Sequence, residues 1–556
     1  MNRRRNSFGW LAIVSGILLG APIVTTAQIQ VNSANPGAAP QGSTNLNVAI
    51  SGSGFKKGAK AQWFVTGTTN PGGVTVNSTA FNNPGQVTAN ITVASDAVIS
   101  GFDITVTNTD GRTGKGTDKF AVTAKGTPLG CSSVGTPSGF TLVAELNTLQ
   151  PNGTALITSG KLGNAIRIRP LDLDRNGVVD TLVTFVTSAN GGATYVFLLD
   201  PTNARVQETN PVTGAVWQNP LLVLSGVPGL VAEVGDVNAD GIPDLVLATA
   251  GSVAYLLVGN VTPGSYTLNY SAFQITRPTG APGYWAIGVA MGDLDGDGAD
   301  EIAIGARPAK GEKTLPGVYL YKFTGGTPTY IRKIEDPSGA LSTLFGGAIA
   351  IGNIDGNAGN ELVVGAMAAN SNNGIVYVFP YPAQQSTYFS LSGPGPNFGQ
   401  QVDVADITGD SLPDLAIVSG NQAFFYPGPV HSGVSYRNQL LPAPGLDAQW
   451  GKRDGDAGLM LTSGALAVAA PVASTDQSCM SSNGGVGAVH LYTVPFAASQ
   501  FPNYVFQPPD LVGSTQFQFG SGVGIAPGYP FLIIGEHLRD VGTTLGAGQV
   551  YVYRKN

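Results

Sequence analysis

One nine-residue acidic pattern returns five times along this chain, starting at residues 172, 236, 293, 353 and 406. The clearest copies place Asp172, Asp174, Asn176 and Asp180, then Asp236, Asn238, Asp240 and Asp244, then Asp293, Asp295, Asp297 and Glu301 at positions 1, 3, 5 and 9. Two weaker copies carry Asn353, Asp355, Asn357 and Glu361, and Asp406, Thr408, Asp410 and Asp414. An apolar run follows each loop, as in Leu245, Val246 and Leu247, and a second strand-type stretch follows that run. Self-similarity at roughly 50 to 65 residues signals a propeller or a solenoid. Two further units, opening at Trp450 and Gly451 and at Phe519 and Gly520, keep the strands without the acidic loop, which makes seven units. Their length suits four-stranded blades closed into a ring, since solenoid rungs would be shorter. The expected fold is all-β, with a seven-bladed β-propeller over 141–556. Glycine at 77 of 556 residues and only 11% charged residues agree with turn-dense β structure.

Oxygen side chains at positions 1, 3, 5 and 9 around a glycine turn make a cage for a hard cation. Calcium takes six to eight oxygens, and a loop supplies them from alternate residues. An EF-hand shares the early spacing but needs a bidentate Glu at position 12 and flanking helices. Position 12 here is Val183, Leu247, Ile304, Val364 and Ile417, apolar every time. Solvated turns are the plain alternative, because Asp, Asn and Gly favour turns, but five loops in register argue against it. The sequence therefore predicts three to five structural calcium sites. The third loop, with four carboxylates, is expected to bind tightest, and the fourth, with Ala358 at the glycine position, weakest. The ion would neutralise clustered carboxylates. No acid, base or nucleophile recurs beside the loops to suggest catalysis by metal.

Ahead of the repeats, residues 1–27 read as a secretory signal, with Arg3, Arg4 and Arg5, an apolar stretch over 8–24 and a small-residue cut before Gln28; a retained anchor is the alternative. No later stretch is long and apolar enough to span a bilayer, so no integral membrane segment is expected after cleavage. The expected location is secreted, cell-surface or periplasmic. Over 28–125, strand-type stretches at 46–50, 61–65, 87–93 and 103–107 are separated by turns such as Asn70-Pro71-Gly72 and Asp110-Gly111, a small β-sandwich pattern. Residues 126–140 serve as linker. Cys131 and Cys479 are either one disulfide or two separate thiols. A net charge of -7, with only 28 Lys and Arg, leaves no basic stripe for nucleic acid.

The segment opening at Asn35-Pro36-Gly37 and containing Gly52, Gly54 and Phe55 resembles the immunoglobulin-like domains called IPT or TIG. The repeats closely resemble FG-GAP, or VCBS-type, repeats, as in the propeller head of alpha-integrins and many bacterial surface proteins. Phe345 and Gly346, Phe398 and Gly399, and Phe519 and Gly520 carry the first half of that signature; Gly305 and Ala306, and Gly365 and Ala366, carry the second. The resemblance implies calcium loops between the first two strands of a blade, with partners docking on the opposite face. Those opposite loops would be 307–316, 368–373, 472–486 and 536–547, the last carrying Glu536, His537, Arg539 and Asp540. The function so implied is a calcium-stabilised binding or adhesion module for an extracellular protein or glycan, without catalysis. The competing expectation is a secreted lyase or hydrolase acting on polymers or lipids. Against it stand the scarcity of histidines (His431, His490 and His537) and the lack of a Gly-x-Ser-x-Gly elbow in a strand-to-helix context or a zinc-type cluster.

Overall fold

The computed structural model describes residues 29–98, 100–123, 136–147, 152–155, 157, 162–163, 165–171, 180–187, 193–199, 221–225, 231–249, 253–262, 267–442, 459–470, 487–509, 518–526, 531–541 and 543–556. The signal segment 1–27, Cys131, Cys479, Trp450, Gly451 and the loop 472–486 lie outside these residues. So do Asp172, Asp174 and Asn176, and the side chain of Asp180.

Residues 29–123 form two four-stranded sheets around one core. The first runs Gln30–Asn35, Leu46–Ser53, Gln86–Val93, Val74–Asn83; the second runs Ala38–Pro40, Thr113–Thr123, Ser100–Thr107, Lys60–Val65. Alternation drives this arrangement: in Gln86–Val93, Val87, Ala89, Ile91 and Val93 are all fully buried while their neighbours face outward. Trp63 meets Phe120 edge-on at 5.8 Å and closes the space between the sheets.

The repeats fold as successive sheets of four antiparallel strands, a β-propeller, and one sheet takes in a fifth strand, Ser499–Gln500, which pairs parallel with Asn438–Leu440. The third acidic unit shows the plan: Tyr284–Gly292, Glu301–Arg307, Gly317–Thr324 and Thr327–Glu335 pair in chain order. Its second strand is apolar on both faces, because sheets pack against it from either side. The first strands of the units lie against one another in sequence. Ala165–Leu171 meets Val231–Gly235, followed by Tyr284–Gly292, Ala348–Gly352, Gln401–Ala405, Leu459–Thr462 and Phe519–Ile525, which returns to Ala165–Leu171. Around this axis sits a cavity of about 330 Å³. Arg167 Nε lies 3.2 Å from Glu233 Oε2 there. Across it, burial pushes the Asp403 carboxyl up to about 7 even though it accepts from Leu461 N at 2.8 Å and Val404 N at 2.9 Å.

The sequence placed Phe140 at the end of the linker, but it begins the strand Phe140–Leu146. That strand pairs antiparallel with Gln549–Lys555 and completes the sheet holding Phe519–Ile525 and Phe531–Glu536. The two ends of the repeat region thus meet in one sheet. The recurrent Phe-Gly and Gly-Ala pairs lock neighbouring sheets. Phe345, Phe398 and Phe519 are fully buried between sheets. The carbonyl oxygen of Gly346 lies where a side chain on Gly305 would begin, and that of Gly399 does the same to Gly365.

Candidate metal centre

Each described acidic loop joins the first and second strands of its sheet, and its side chains first organise its own backbone. Position 1 caps the turn: Asp293 accepts from Gly296 N, Asp297 N and Gly298 N at 2.6, 3.2 and 2.8 Å. Asp406 repeats this with Gly409 N, Asp410 N and Ser411 N at 2.6, 3.2 and 2.9 Å, and Asp236 takes Asp240 N and Gly241 N. In the fourth loop an amide does the work: Asn353 Oδ1 accepts from Gly356 N at 2.9 Å.

Position 9 is buried in all four loops, as Asp244, Glu301, Glu361 and Asp414. One of its oxygens pins the start of the loop, as when Asp244 Oδ2 accepts from Val237 N at 2.7 Å and Asp414 Oδ2 from Ile407 N at 2.9 Å. The second oxygen of Asp244 accepts from Gly259 N on the third strand at 2.7 Å, and that of Asp414 from Gly428 N just past the third strand at 3.0 Å. Burial pushes the carboxyls of Asp244 and Glu361 up to about 7 and raises those of Glu301 and Asp414. Nearby acids add to the rise: Asp240 and Asp236 act on Asp244, and Asp355 acts on Glu361. A bound cation would relieve this penalty.

Among the described residues, Asp293, Asp295 and Asp297 bring their ligand atoms within 4.8 Å of one another. Glu301 stands behind them, its Oε1 buried and without a directed hydrogen bond. These hard oxygens fit a calcium-type cation. Loops 236–244 and 406–414 offer the same positions with one carboxylate replaced by Asn238 or Thr408, and among the described residues no cationic side chain pairs with their acids. In the fourth loop only Asp355 and Glu361 are acidic, and the Asn357 amide donates to Asp355 Oδ2 at 2.9 Å.

The backbone also shows what the sequence pattern hid. Two residues per loop are left-handed, at positions 4 and 6: Ala239 and Gly241, Gly296 and Gly298, and Gly409 and Ser411. In the fourth loop the second left-handed residue falls one place later, at Gly359. A side chain with positive φ is strained, so Ser411→Gly is expected to stabilise the protein by about 1 kcal/mol. Chemical denaturation of the variant tests this, and a lower midpoint would refute it. Position 8 ties neighbouring sheets together. Asp300 Oδ2 accepts from Asp236 N and Asp300 N donates to Asp236 O, both at 2.8 Å, and Asn360 Nδ2 donates to Asp293 O at 2.7 Å.

The most consequential residue missed from sequence is Lys322. It sits on the third strand across from Glu301, with Nζ 2.5 Å from Asp295 Oδ2, 2.7 Å from Asp297 Oδ2 and 3.1 Å from Glu301 Oε1. Burial works against its charge, but the three carboxylates win and raise its pKa; the ammonium in turn lowers that of Asp297.

Residues 236–304 match the FG-GAP-like repeat. The chain is also similar to integrin alpha-2 of Mus musculus, 28% identical over 164 residues, which is 27% of this chain and 14% of the relative's length. The structure of the Dos1 propeller superposes with a TM-score of 0.40 at 10% identity, covering 75% of this chain and 95% of that one. The repeat match and the integrin similarity support an FG-GAP β-propeller.

On the end of the sheets opposite the acidic loops, the loop 307–316 exposes Lys310 and Lys313. Arg307 stacks 4.5 Å over the half-exposed Tyr284 ring, and Glu312 holds the loop's shape by accepting from Gly283 N and Ala309 N at 2.8 and 2.7 Å. The loop 536–547 behaves differently. Its Glu536, His537, Arg539 and Asp540 are buried, with Tyr551 Oη donating to Glu536 Oε2 at 2.8 Å, so the charges expected to face a partner are turned inward. Among the described residues, no helix is long and apolar enough to cross a membrane.

Proposed function

We propose that this chain is an exported, calcium-stabilised binding module. In this reading the successive sheets are the blades of a seven-bladed ring, and residues 29–123 are an immunoglobulin-like sandwich ahead of it. The module engages an extracellular protein or glycan and performs no catalysis.

The observation that carries the proposal is the acidic loop repeated at 236–244 and 406–414, where Asp236 and Asp406 cap the turn, Asp244 and Asp414 are buried behind it, and among the described residues no cationic side chain pairs with these acids. When bound, calcium supplies the positive charge that lets these acids stay ionised out of water. Asp236, Asn238 and Asp240, and Asp406, Thr408 and Asp410, would hold it in the second and fifth loops, with Asp244 and Asp414 fixing loop shape. The loop 307–316 supplies the docking surface, since Arg307, Lys310 and Lys313 present positive charge beside an exposed aromatic ring. An acidic protein segment or an anionic glycan is the matching partner.

A site held at 100 times its Kd adds about 2.7 kcal/mol. With two or more sites filled, calcium is expected to raise the melting temperature by roughly 10 °C over chelator, and magnesium to do much less. No shift, together with no bound metal by mass spectrometry, would reduce the loops to ordinary turns. A parallel screen on matrix-protein and glycan arrays should lose its hits in an Arg307→Glu, Lys310→Glu, Lys313→Glu variant; retained hits would move the docking surface elsewhere.

A further inference from the structure

Lys322 occupies a register position that decides what the third loop can hold. The pairings Leu245↔Leu257, Ile302↔Tyr321, Leu362↔Phe379 and Leu415↔Tyr426 align the four described sheets. One residue further toward each loop, the position-9 acids Asp244, Glu301, Glu361 and Asp414 stand across from Val258, Lys322, Pro380 and Pro427. Only the third carries a charge. In the other three sheets, the residue after the facing one donates its backbone N–H to the acid: Gly259, Tyr381 and Gly428. In the third sheet Glu301 Oε1 has no such donor, and Lys322 Nζ stands 3.1 Å away.

We infer that Lys322 is a built-in cation that replaces calcium in the third loop. Its ammonium lies within 3.1 Å of three acids drawn from positions 3, 5 and 9, the carboxylates a metal would need. Two positive charges cannot share that space, so calcium entry requires expelling the ammonium. The tether makes the contest unequal, because a covalently attached ligand is always at high local concentration. The loop richest in carboxylates is then the one that needs no calcium, and among the described loops binding falls to the second and fifth. This inference rests on the calcium reading above but assigns one loop out of it.

The test compares the whole mature chain, Lys322→Met, Lys322→Gln and Asp295→Asn/Asp297→Asn, measuring calcium stoichiometry by equilibrium dialysis and melting in chelator. Lys322→Met and Lys322→Gln are expected to bind one more calcium per chain than the wild type. They should also melt several degrees lower in chelator and recover with calcium. The Asp295→Asn/Asp297→Asn variant should keep the wild-type stoichiometry. One ion fewer in that double variant, or no extra ion in either Lys322 variant, overturns the inference while leaving the calcium reading intact. A wild type that binds none while Lys322→Met binds one keeps the inference and sinks the general calcium reading. No calcium in any of the proteins sinks both.

Discussion

Gly305→Ala is expected to cost at least about 3 kcal/mol and to lower the melting temperature by roughly 5 °C or more. A Cβ at Gly305 would lie 1.8 Å from the carbonyl oxygen of Gly346, 2.7 Å from its carbonyl carbon and 3.1 Å from its Cα. These are backbone atoms of the neighbouring sheet, so no side chain can rotate away, and one strand must separate from the next sheet instead. Gly305 does not have positive φ, so the effect is one of space and not of glycine's conformational freedom. Gly365→Ala repeats the experiment one sheet further on, at 2.1 Å from Gly399 O. The control is Gly311→Ala, where φ is +91 and nothing lies within 4 Å of the added carbon, so only about 1 kcal/mol is lost. Equal melting of Gly305→Ala and the control would show that the sheets can part at no penalty, and the interlock would have to be abandoned.

Ending the chain before Gln549 should abolish the cooperative transition of the propeller. The strand removed buries Val550, Tyr551, Val552 and Tyr553 and supplies, among the described residues, the only strand partner of Phe140–Leu146. Four such side chains at about 1.5–3 kcal/mol each amount to on the order of 10 kcal/mol, comparable with the whole stability of a typical domain. Removing only Lys555 and Asn556, both exposed, is the matched control and should melt like the full chain. A sharp, unshifted transition in the longer truncation, followed by circular dichroism and scanning calorimetry, would mean that the closing strand is dispensable.

Much of the fold was legible because its signals are local. The apolar runs after each loop are the second strands, and Leu247, Ile304, Val364 and Ile417, whose apolar character argued against an EF-hand, are fully buried there. The acidic positions were legible for the same reason, since a turn and its caps lie within nine residues. What escaped required pairing across the chain. Lys322 is ordinary in sequence and becomes part of the loop only once the third strand's register is known. Asp300 and Asn360 stand outside the ligand positions of the pattern, yet each bonds the neighbouring loop's backbone. The resemblance to FG-GAP repeats puts the loop 536–547 on the docking face and its charges suggest exposure, whereas Glu536 has a buried tyrosine hydroxyl as its donor. Phe140–Leu146 lies some four hundred residues from its partner strand, beyond any local pattern.

The pairing of that last strand also fixes how the molecule would answer a pull. Phe140 lies opposite Lys555 and Leu146 opposite Val550, so the chain enters the ladder from the N-terminal side at the same edge where the C-terminus leaves it. Tension applied between the N-terminal sandwich and Asn556 would load the ladder's hydrogen bonds one pair at a time, peeling it like a zipper, while the other sheets bore none of the load. The same tension applied between the sandwich and a partner held on the loop 307–316 would have to pass through the body of the ring. A grip on the C-terminal residues together with one on the N-terminal side would therefore open this ladder from its Phe140–Lys555 end.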